Sequence, residues 1–139
     1  MSINNSPKIE VVAAIISNNS DEILCMQRGI NKHSYISKKY EFPGGKIEPG
    51  ETNEYALIRE INEEINIDIE ISNFFLKVEH QYPDFFLVMD SYKCNSNSLE
   101  ITLNEHIEYK WLPIKDLIGL DWAAADIPIV KKLINDENN

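Results

Sequence analysis

Basic side chains are scarce in this 139-residue chain, which has only 13 Lys and Arg against 23 Asp and Glu and a net charge of −10. An acidic chain is poorly suited to binding a nucleic acid polymer, because such binding depends on Lys and Arg side chains that neutralise phosphates. A small phosphorylated ligand is still compatible with the charge, since a bound metal ion lets carboxylates and phosphates share one site.

Cysteines and long apolar runs are equally few. Cys25 and Cys94 lie in separate segments, and two isolated cysteines make neither a disulfide framework nor a metal motif. No apolar run approaches the ~18 residues of a membrane helix, and the opening MSINNSP lacks the pattern of a signal peptide. We therefore expect a cytoplasmic protein without a membrane partner, folded as a single domain over 1–139 with an ordered core of about 7–134.

The strongest motif is the stretch 45–67, GKIEPGETNEYALIREINEEINI, called the 45–67 motif below. Its three acids Glu60, Glu63 and Glu64, the motif acids, have the spacing i, i+3 and i+4, which places them on one face of a helix. Like charges at this spacing repel, so a bound cation is needed to stabilise them together. Hard ions such as Mg²⁺ and Mn²⁺ prefer carboxylate oxygens.

Hydrophobic periodicity predicts the elements around this motif. It indicates strands over 8–16, 23–28, 67–81, 85–94 and 107–112, with a short extended piece over 40–43. It indicates helices over 52–65, 113–118 and 126–134. The first of these helices has Thr52 as N-cap and Asn66 as a left-handed C-terminal residue. Its apolar stripe is Leu57, Ile58, Ile61 and Ile65.

The spacing G-x5-E-x7-R-E-I-x-E-E-x2-I, from Gly45 to Ile67, resembles the Nudix box. Asn66 is the one departure, at a position where the family usually has Gly, and Asn tolerates the same backbone conformation. The segments EVVAAII, MQR, YEFPGGKIE, YPD and ADIP, with Trp111, resemble the MutT-like branch of that family in order and spacing. The resemblance covers nearly the whole chain.

This resemblance implies a fold and an activity. The fold is the Nudix fold, an α/β (α+β) architecture in which a mixed β-sheet is sandwiched between α-helices. The activity is Mg²⁺-dependent hydrolysis of a nucleoside triphosphate, such as 8-oxo-dGTP or CTP, to the monophosphate and pyrophosphate, with nucleotide pool sanitation as the role. The alternatives are hydrolysis of another nucleoside diphosphate derivative, such as ADP-ribose, and a non-catalytic nucleotide-binding module. The protein would be a monomer or a homodimer.

The resemblance also implies a metal site. It assigns Mg²⁺, with Mn²⁺ as a substitute, to Glu60, Glu63, Glu64 and the backbone carbonyl of Gly45. Glu105 is the candidate for a further metal ligand or a water-orienting base, and an ordinary loop acid is the alternative interpretation.

Arg59 joins Glu60, Glu63 and Glu105 in the implied catalytic set. In the family the matching arginine pairs with the first acid of the box, here Glu51, which would tie the loop to the helix. A surface ion pair of little worth is the alternative. Gly44, beside Gly45, would let the backbone approach the metal closely.

Five further residues are candidates for substrate binding. Arg28 and Lys46 are candidate phosphate partners, or else solvated charges at strand ends. Phe42 and Tyr82 are candidate walls for the base, or else plain core residues. Asp126 matches the position that faces the base edge in MutT-like enzymes, and the N-cap of the last helix is the other interpretation.

Base preference follows from the chemistry of these groups. An ionised Asp126 only accepts hydrogen bonds, which favours the amino group of cytosine or the N1/N2 edge of guanine. Phe85 stands where some relatives carry arginine, which weakens the case for strict oxidised-guanine specificity. His33, His80 and His106 form no triad or zinc pattern, and we interpret them as structural or surface residues.

Overall fold

The computed structural model of the chain describes residues 6–98 and 100–138. Residues 1–5, 99 and 139 of the predicted domain lie outside these ranges. The strands within them are β1 Lys8–Ser17, β2 Glu22–Arg28, β3 Tyr40–Glu41, β4 Gly44–Lys46, β5 Glu70–Gln81, β6 Phe86–Asn95 and β7 His106–Pro113. The helices are α1 Asn53–Ile65 and α2 Ile127–Glu137, with 3₁₀ helices at Ile114–Gly119 and Ala124–Asp126.

All seven strands belong to one mixed sheet, as the resemblance implied. The main order is β3-β2-β1-β6-β5, and β4 pairs with β1 while β7 pairs with β2. β1 runs parallel to β6 from Lys8 opposite Phe86 to Ser17 opposite Asn95. The predicted turn between β1 and β2 is present, but the two strands pair only near Ser17 and Ile23. Beyond the turn, β2 pairs with β7 instead.

Each face of the sheet is covered by one helix, because successive side chains of β1 and β2 point to opposite faces. One core contains Val12, Ala14, Ile16, Leu24 and Met26 with the buried side of α1. The other contains Ala13, Ile15, Ile23 and Cys25 with Trp122 and the buried side of α2. The helix–sheet–helix sandwich is therefore confirmed. No helix among the described residues is long and apolar enough to span a membrane.

Both predicted ends of α1 are confirmed. Thr52 Oγ1 accepts a hydrogen bond from the Tyr55 N–H at 3.2 Å, which satisfies a donor of the first turn. Asn66 ends the helix in the left-handed conformation, with φ 56° and ψ 43°, and its N–H donates to the Asn62 carbonyl at 3.0 Å.

The predicted apolar stripe of α1 is wrong at one position. Ile58 is 46% exposed, and Ala56 is buried in its place beside Leu57, Ile61 and Ile65. At 100° per residue, this exchange rotates the buried side of the helix toward the motif acids. The side chains of Glu60 and Glu64 are therefore largely buried next to the apolar side of α1, whereas Glu63 is exposed.

The C-terminal third differs from the prediction in detail. The predicted helix over 113–118 is a 3₁₀ helix, Ile114–Gly119. The last helix begins at Ile127 rather than at 126, and Asp126 ends a preceding 3₁₀ turn. Asp126 occupies the predicted N-cap position of α2, but its backbone is helical and its side chain makes no capping hydrogen bond to the helix.

Candidate active site

The glycine pair ahead of α1 allows two close approaches. β4 lies against β1, and a Cβ on Gly44 would collide with the carbonyl oxygen of Val12. A Cβ on Gly45 would collide with the carboxylate of Glu60. The Glu60 side chain therefore packs directly on the backbone of Gly45, next to the carbonyl that the resemblance assigns to the metal.

Arg59 donates hydrogen bonds to several other residues of the 45–67 motif. Its Nε and Nη2 donate to the two oxygens of Glu51 at 2.6 and 2.8 Å, and this hydrogen bonding lowers the pKa of Glu51. Its Nη1 donates to Glu60 at 2.9 Å and to Glu63 at 3.1 Å, and its Nη2 also donates to the Lys46 carbonyl at 3.2 Å. The side chains of Arg59 and Glu51 are only 18% and 10% exposed. The predicted pair is therefore present as a largely buried, bidentate contact rather than a surface ion pair.

A buried histidine links two carboxylates at the other side of the motif acids. The His106 side chain is 3% exposed, and its Nε2 lies 2.8 Å from Glu41 Oε2. Its Nδ1 lies 3.0 Å from Glu64 Oε1 and has no hydrogen-bond partner among the described residues. Burial lowers the pKa of His106, but the hydrogen bond and the charges of the two glutamates outweigh burial and raise it.

Sequence reasoning missed this Glu41–His106–Glu64 cluster. Glu41 was not considered, and His106 was interpreted as a structural or surface residue. The available signals were weak: Glu41 directly precedes the FPGG segment, and His106 follows the candidate Glu105. The three residues come from β3, β7 and α1, so only the tertiary structure brings them together.

The motif acids have unequal exposure. The Glu60 side chain is 20% exposed, that of Glu64 10%, and that of Glu63 62%. Burial raises the pKa of Glu64 to about 7, opposed by the charge of His106 and assisted by the charges of Glu41, Glu105 and Glu60. Carboxylates crowded at this density fit a divalent cation as their counter-charge. Glu41, Glu64 and His106 also place possible ligand atoms within 4.8 Å of one another.

A cavity of about 620 Å³ adjoins these acids. Its lining includes most of the residues that the sequence nominated: Arg28, Phe42, Gly44, Gly45, Lys46, Glu60, Glu64, Tyr82, Glu105 and Asp126. It also includes Glu41, His106, Tyr35, Lys39 and Phe85. Glu51, Arg59 and Glu63 are not part of the lining. The structure thus places two of the three motif acids, Glu60 and Glu64, in the wall of this cavity.

The aromatic part of the cavity is also part of the core. Phe42 is 3% exposed and stacks on Trp122 with ring centroids 4.7 Å apart. Tyr82 is 7% exposed, and its hydroxyl accepts a hydrogen bond from the Ala125 N–H at 3.0 Å. Tyr35 stacks on Tyr82 with centroids 5.2 Å apart. The two interpretations of Phe42 and Tyr82, as core residues and as cavity walls, are therefore compatible.

Asp126 lies in the cavity wall behind these rings. Its Oδ1 accepts a hydrogen bond from the Phe42 N–H at 3.1 Å, and burial raises the pKa of its carboxyl well above the ordinary value. An aspartic acid that keeps its proton donates as well as accepts. Asp126 therefore differs from the ionised group, able only to accept hydrogen bonds, that the sequence predicts.

Three cations lie near the cavity mouth. Arg28 Nη1 is 3.7 Å from Glu41 Oε1, and Lys39 Nζ contacts both carboxylate oxygens of Asp121 at 2.9 and 3.0 Å. Lys46 is exposed at the end of β4. The assignment of Arg28 and Lys46 to phosphate remains a prediction.

The sequence of this chain is similar to a known domain family and to named enzymes. Residues 7–133 match the NUDIX domain family. The chain is 32% identical over 126 residues to an 8-oxo-dGTP diphosphatase of Escherichia coli (strain K12), covering 91% of this chain and 96% of the relative. It is 28% identical over 123 residues to a CTP pyrophosphohydrolase of the same organism, covering 88% and 89%.

Solved structures share the same architecture. A MutT protein from Methanosarcina mazei Go1 superposes with a TM-score of 0.87 at 23% identity, covering 99% of this chain and 100% of that one. The DNA mismatch repair protein MutT of methicillin-resistant Staphylococcus aureus 252, described as a Nudix hydrolase, superposes with a TM-score of 0.72 at 40% identity, covering 94% and 98%.

Proposed function

Because the chain belongs to the NUDIX domain family, we propose that it is a Mg²⁺-dependent nucleoside triphosphate pyrophosphohydrolase. Its relatives include enzymes named 8-oxo-dGTP diphosphatase and CTP pyrophosphohydrolase. The observation that carries the proposal is the cavity, whose lining combines carboxylates with aromatic rings and a buried acid. A nucleoside triphosphate matches this lining, because carboxylates can hold the metal ion that binds its phosphates, and aromatic rings and an acid can contact its base.

Mg²⁺ would be held by Glu60, Glu63, Glu64 and the Gly45 carbonyl, with Glu105 as a further acid. The bound ion neutralises phosphate charge and activates the attacking water. Arg59 supports this set, because one guanidinium contacts both Glu60 and Glu63. Glu105 is exposed in the loop before β7 and lines the cavity, where it is available to orient water.

The cationic residues at the mouth would bind the phosphates. Arg28 presents a fork of N–H donors suited to phosphate oxygens, and Lys46 supplies a mobile point charge. In a chain of net charge −10, such local cations offset the repulsion between the acids and an incoming polyanion. Water then attacks an inner phosphorus, the bond to the leaving oxygen breaks, and nucleoside monophosphate and pyrophosphate are released.

The aromatic side chains of the cavity would select the base. Tyr35, Phe42 and Tyr82 offer ring faces and edges, and base–aromatic stacking contributes about 1–3 kcal/mol per base. Asp126 is positioned to read polar atoms at the base edge. With its raised pKa, it would pair with a base edge that offers an acceptor beside a donor, as well as with one that offers donors only.

A substrate panel tests this proposal. Pyrophosphate release with Mg²⁺ is measured for 8-oxo-dGTP, dGTP, CTP, 5-methyl-dCTP and ADP-ribose, with EDTA-treated enzyme as the control. We expect the highest kcat/KM for 8-oxo-dGTP or a cytidine nucleotide, and no turnover without a divalent ion. Preference for ADP-ribose would overturn the substrate class, and the absence of turnover on the whole panel would favour the binding module.

A further inference from the structure

His106 is held between two carboxylates from different parts of the fold. β3 and β7 both pair with β2, where Met26 lies opposite Glu41 and Arg28 lies opposite His106. α1 supplies Glu64. The imidazole is 3% exposed, and the side chains of Glu41 and Glu64 are 23% and 10% exposed.

The two ring nitrogens of His106 differ in their hydrogen bonding. Nε2 has Glu41 Oε2 as a hydrogen-bond partner at 2.8 Å, which makes Nε2 the donor. Nδ1 is buried and has no hydrogen-bond partner among residues 6–98 and 100–138. A buried polar atom left in this way costs free energy unless a further group meets it.

The position of Glu64 indicates that the missing partner of Nδ1 is a metal ion. Its Oε1 lies 3.0 Å from Nδ1 without being its hydrogen-bond partner. Two donor atoms bound to one octahedral ion, each at about 2.1 Å and at right angles, are about 3.0 Å apart. The two atoms thus have the separation of neighbouring ligands on one cation.

Glu41 completes the arrangement. In the neutral, metal-binding form of the imidazole, a hydrogen bond from Nε2–H to Glu41 leaves the lone pair on Nδ1, and carboxylates commonly orient metal-binding histidines in this way. Glu41, Glu64 and His106 are the residues whose ligand atoms gather within 4.8 Å.

We propose that His106, through Nδ1, shares with Glu64 a binding site for a divalent transition-metal ion, and that Glu41 orients the imidazole. The inference rests on the proposed function in that Glu64 also belongs to the proposed Mg²⁺ site. An imidazole donor raises affinity for ions such as Co²⁺ and Zn²⁺ more than for Mg²⁺, which prefers oxygen ligands. The same acids therefore accept two classes of ion, and His106 sets the preference between them.

Calorimetry on the metal-free full chain, without nucleotide, tests this assignment. We compare Co²⁺ and Mg²⁺ binding in the wild type, His106→Gln and the matched control His80→Gln. His80 lies on β5, where its ring packs against Tyr82. We expect His106→Gln to weaken Co²⁺ binding by at least about tenfold and Mg²⁺ binding by much less, and His80→Gln to change neither. Equal Co²⁺ affinity in wild type and His106→Gln overturns the proposal.

A second measurement works even if His106→Gln fails to fold. The chain has three histidines, so the double variant His33→Gln/His80→Gln leaves only His106. Its Co²⁺-loaded proton NMR spectrum should keep one exchangeable imidazole N–H signal shifted far outside the normal range by the paramagnetic ion. The absence of that signal in both the wild type and the double variant shows that His106 is not a ligand.

Both readouts are independent of turnover. If Co²⁺ binds through His106 but no triphosphate is hydrolysed, the proposed function fails and the metal assignment stands. If triphosphate is hydrolysed with Mg²⁺ but the shifted imidazole signal is missing, the assignment fails and the proposed function stands.

Discussion

The motif acids occupy three different environments although they lie within five consecutive residues. Glu64 is 10% exposed beside a buried histidine, Glu60 is 20% exposed against the backbone of Gly45, and Glu63 is 62% exposed next to Arg59. Because the pKa of Glu64 is raised to about 7, a cation at this site competes with a proton and its binding becomes stronger as the pH rises.

Asp126 provides a prediction about stability at the residue scale. Its pKa is raised well above 3.8 by burial. Above the unfolded-state pKa the unfolded chain releases this proton while the folded chain keeps it, so the free energy of unfolding falls as the pH rises toward the folded-state pKa. Asp126→Asn retains an oxygen for the Phe42 N–H and carries no proton to lose. We expect its stability relative to wild type to increase by up to about 1.4 kcal/mol per pH unit in that window.

Urea unfolding across a pH series from 4 to 8 measures this difference. Asp116→Asn, at an exposed position, controls for the change in net charge. If the wild-type and Asp126→Asn curves run parallel over the whole series, the carboxyl of Asp126 does not hold its proton in the folded protein.

The end of α1 provides a prediction at the element scale. Asn66 has φ 56°, a conformation that costs a residue with a Cβ about 1–2 kcal/mol and costs glycine little. We expect Asn66→Ala to lower the free energy of unfolding by about 1 kcal/mol, and Asn66→Gly to leave it within about 0.5 kcal/mol of wild type. Denaturant unfolding of the variants provides the comparison.

The control is Asn62→Ala, which makes the same Asn-to-Ala change as Asn66→Ala but at an exposed position within α1. Ala is the better helix former there, so this variant should be at least as stable as wild type. Equal stability of the Ala and Gly variants at position 66 would show that the left-handed conformation has no role in ending α1.

Local signals explain which elements could be predicted. Alternation and apolar runs located the long strands, and Thr52 and Asn66 marked the ends of α1, because caps and periodicity are properties of neighbouring residues. β4 was missed because a Gly-Gly-Lys segment has no strand propensity of its own and is extended by pairing with β1. Ile58 was wrongly placed in the core because periodicity does not show that the helix turns its acids toward the sheet.

The whole molecule assembles its site from distant segments, and this limits what sequence could reveal. The 45–67 motif was found because its chemistry is concentrated in 23 residues. Glu41 and His106 are 65 residues apart and meet only because their strands flank β2. Tyr35 escaped notice for the same reason: it joins the cavity through its stacking on Tyr82. The cavity itself is a property of the sheet, both helices and the loops together.

The central claim, that the acids of α1 drive cleavage of a nucleoside triphosphate to the monophosphate and pyrophosphate, is tested most directly by product analysis. The wild type, Glu63→Gln and the matched control Glu54→Gln, an exposed acid in the first turn of the same helix, are compared on the best substrate with Mg²⁺. The account predicts monophosphate and pyrophosphate from the wild type and Glu54→Gln, and at least about a hundredfold lower kcat for Glu63→Gln with the fold intact. Undiminished turnover by Glu63→Gln, or release of diphosphate and inorganic phosphate by the wild type, would contradict it.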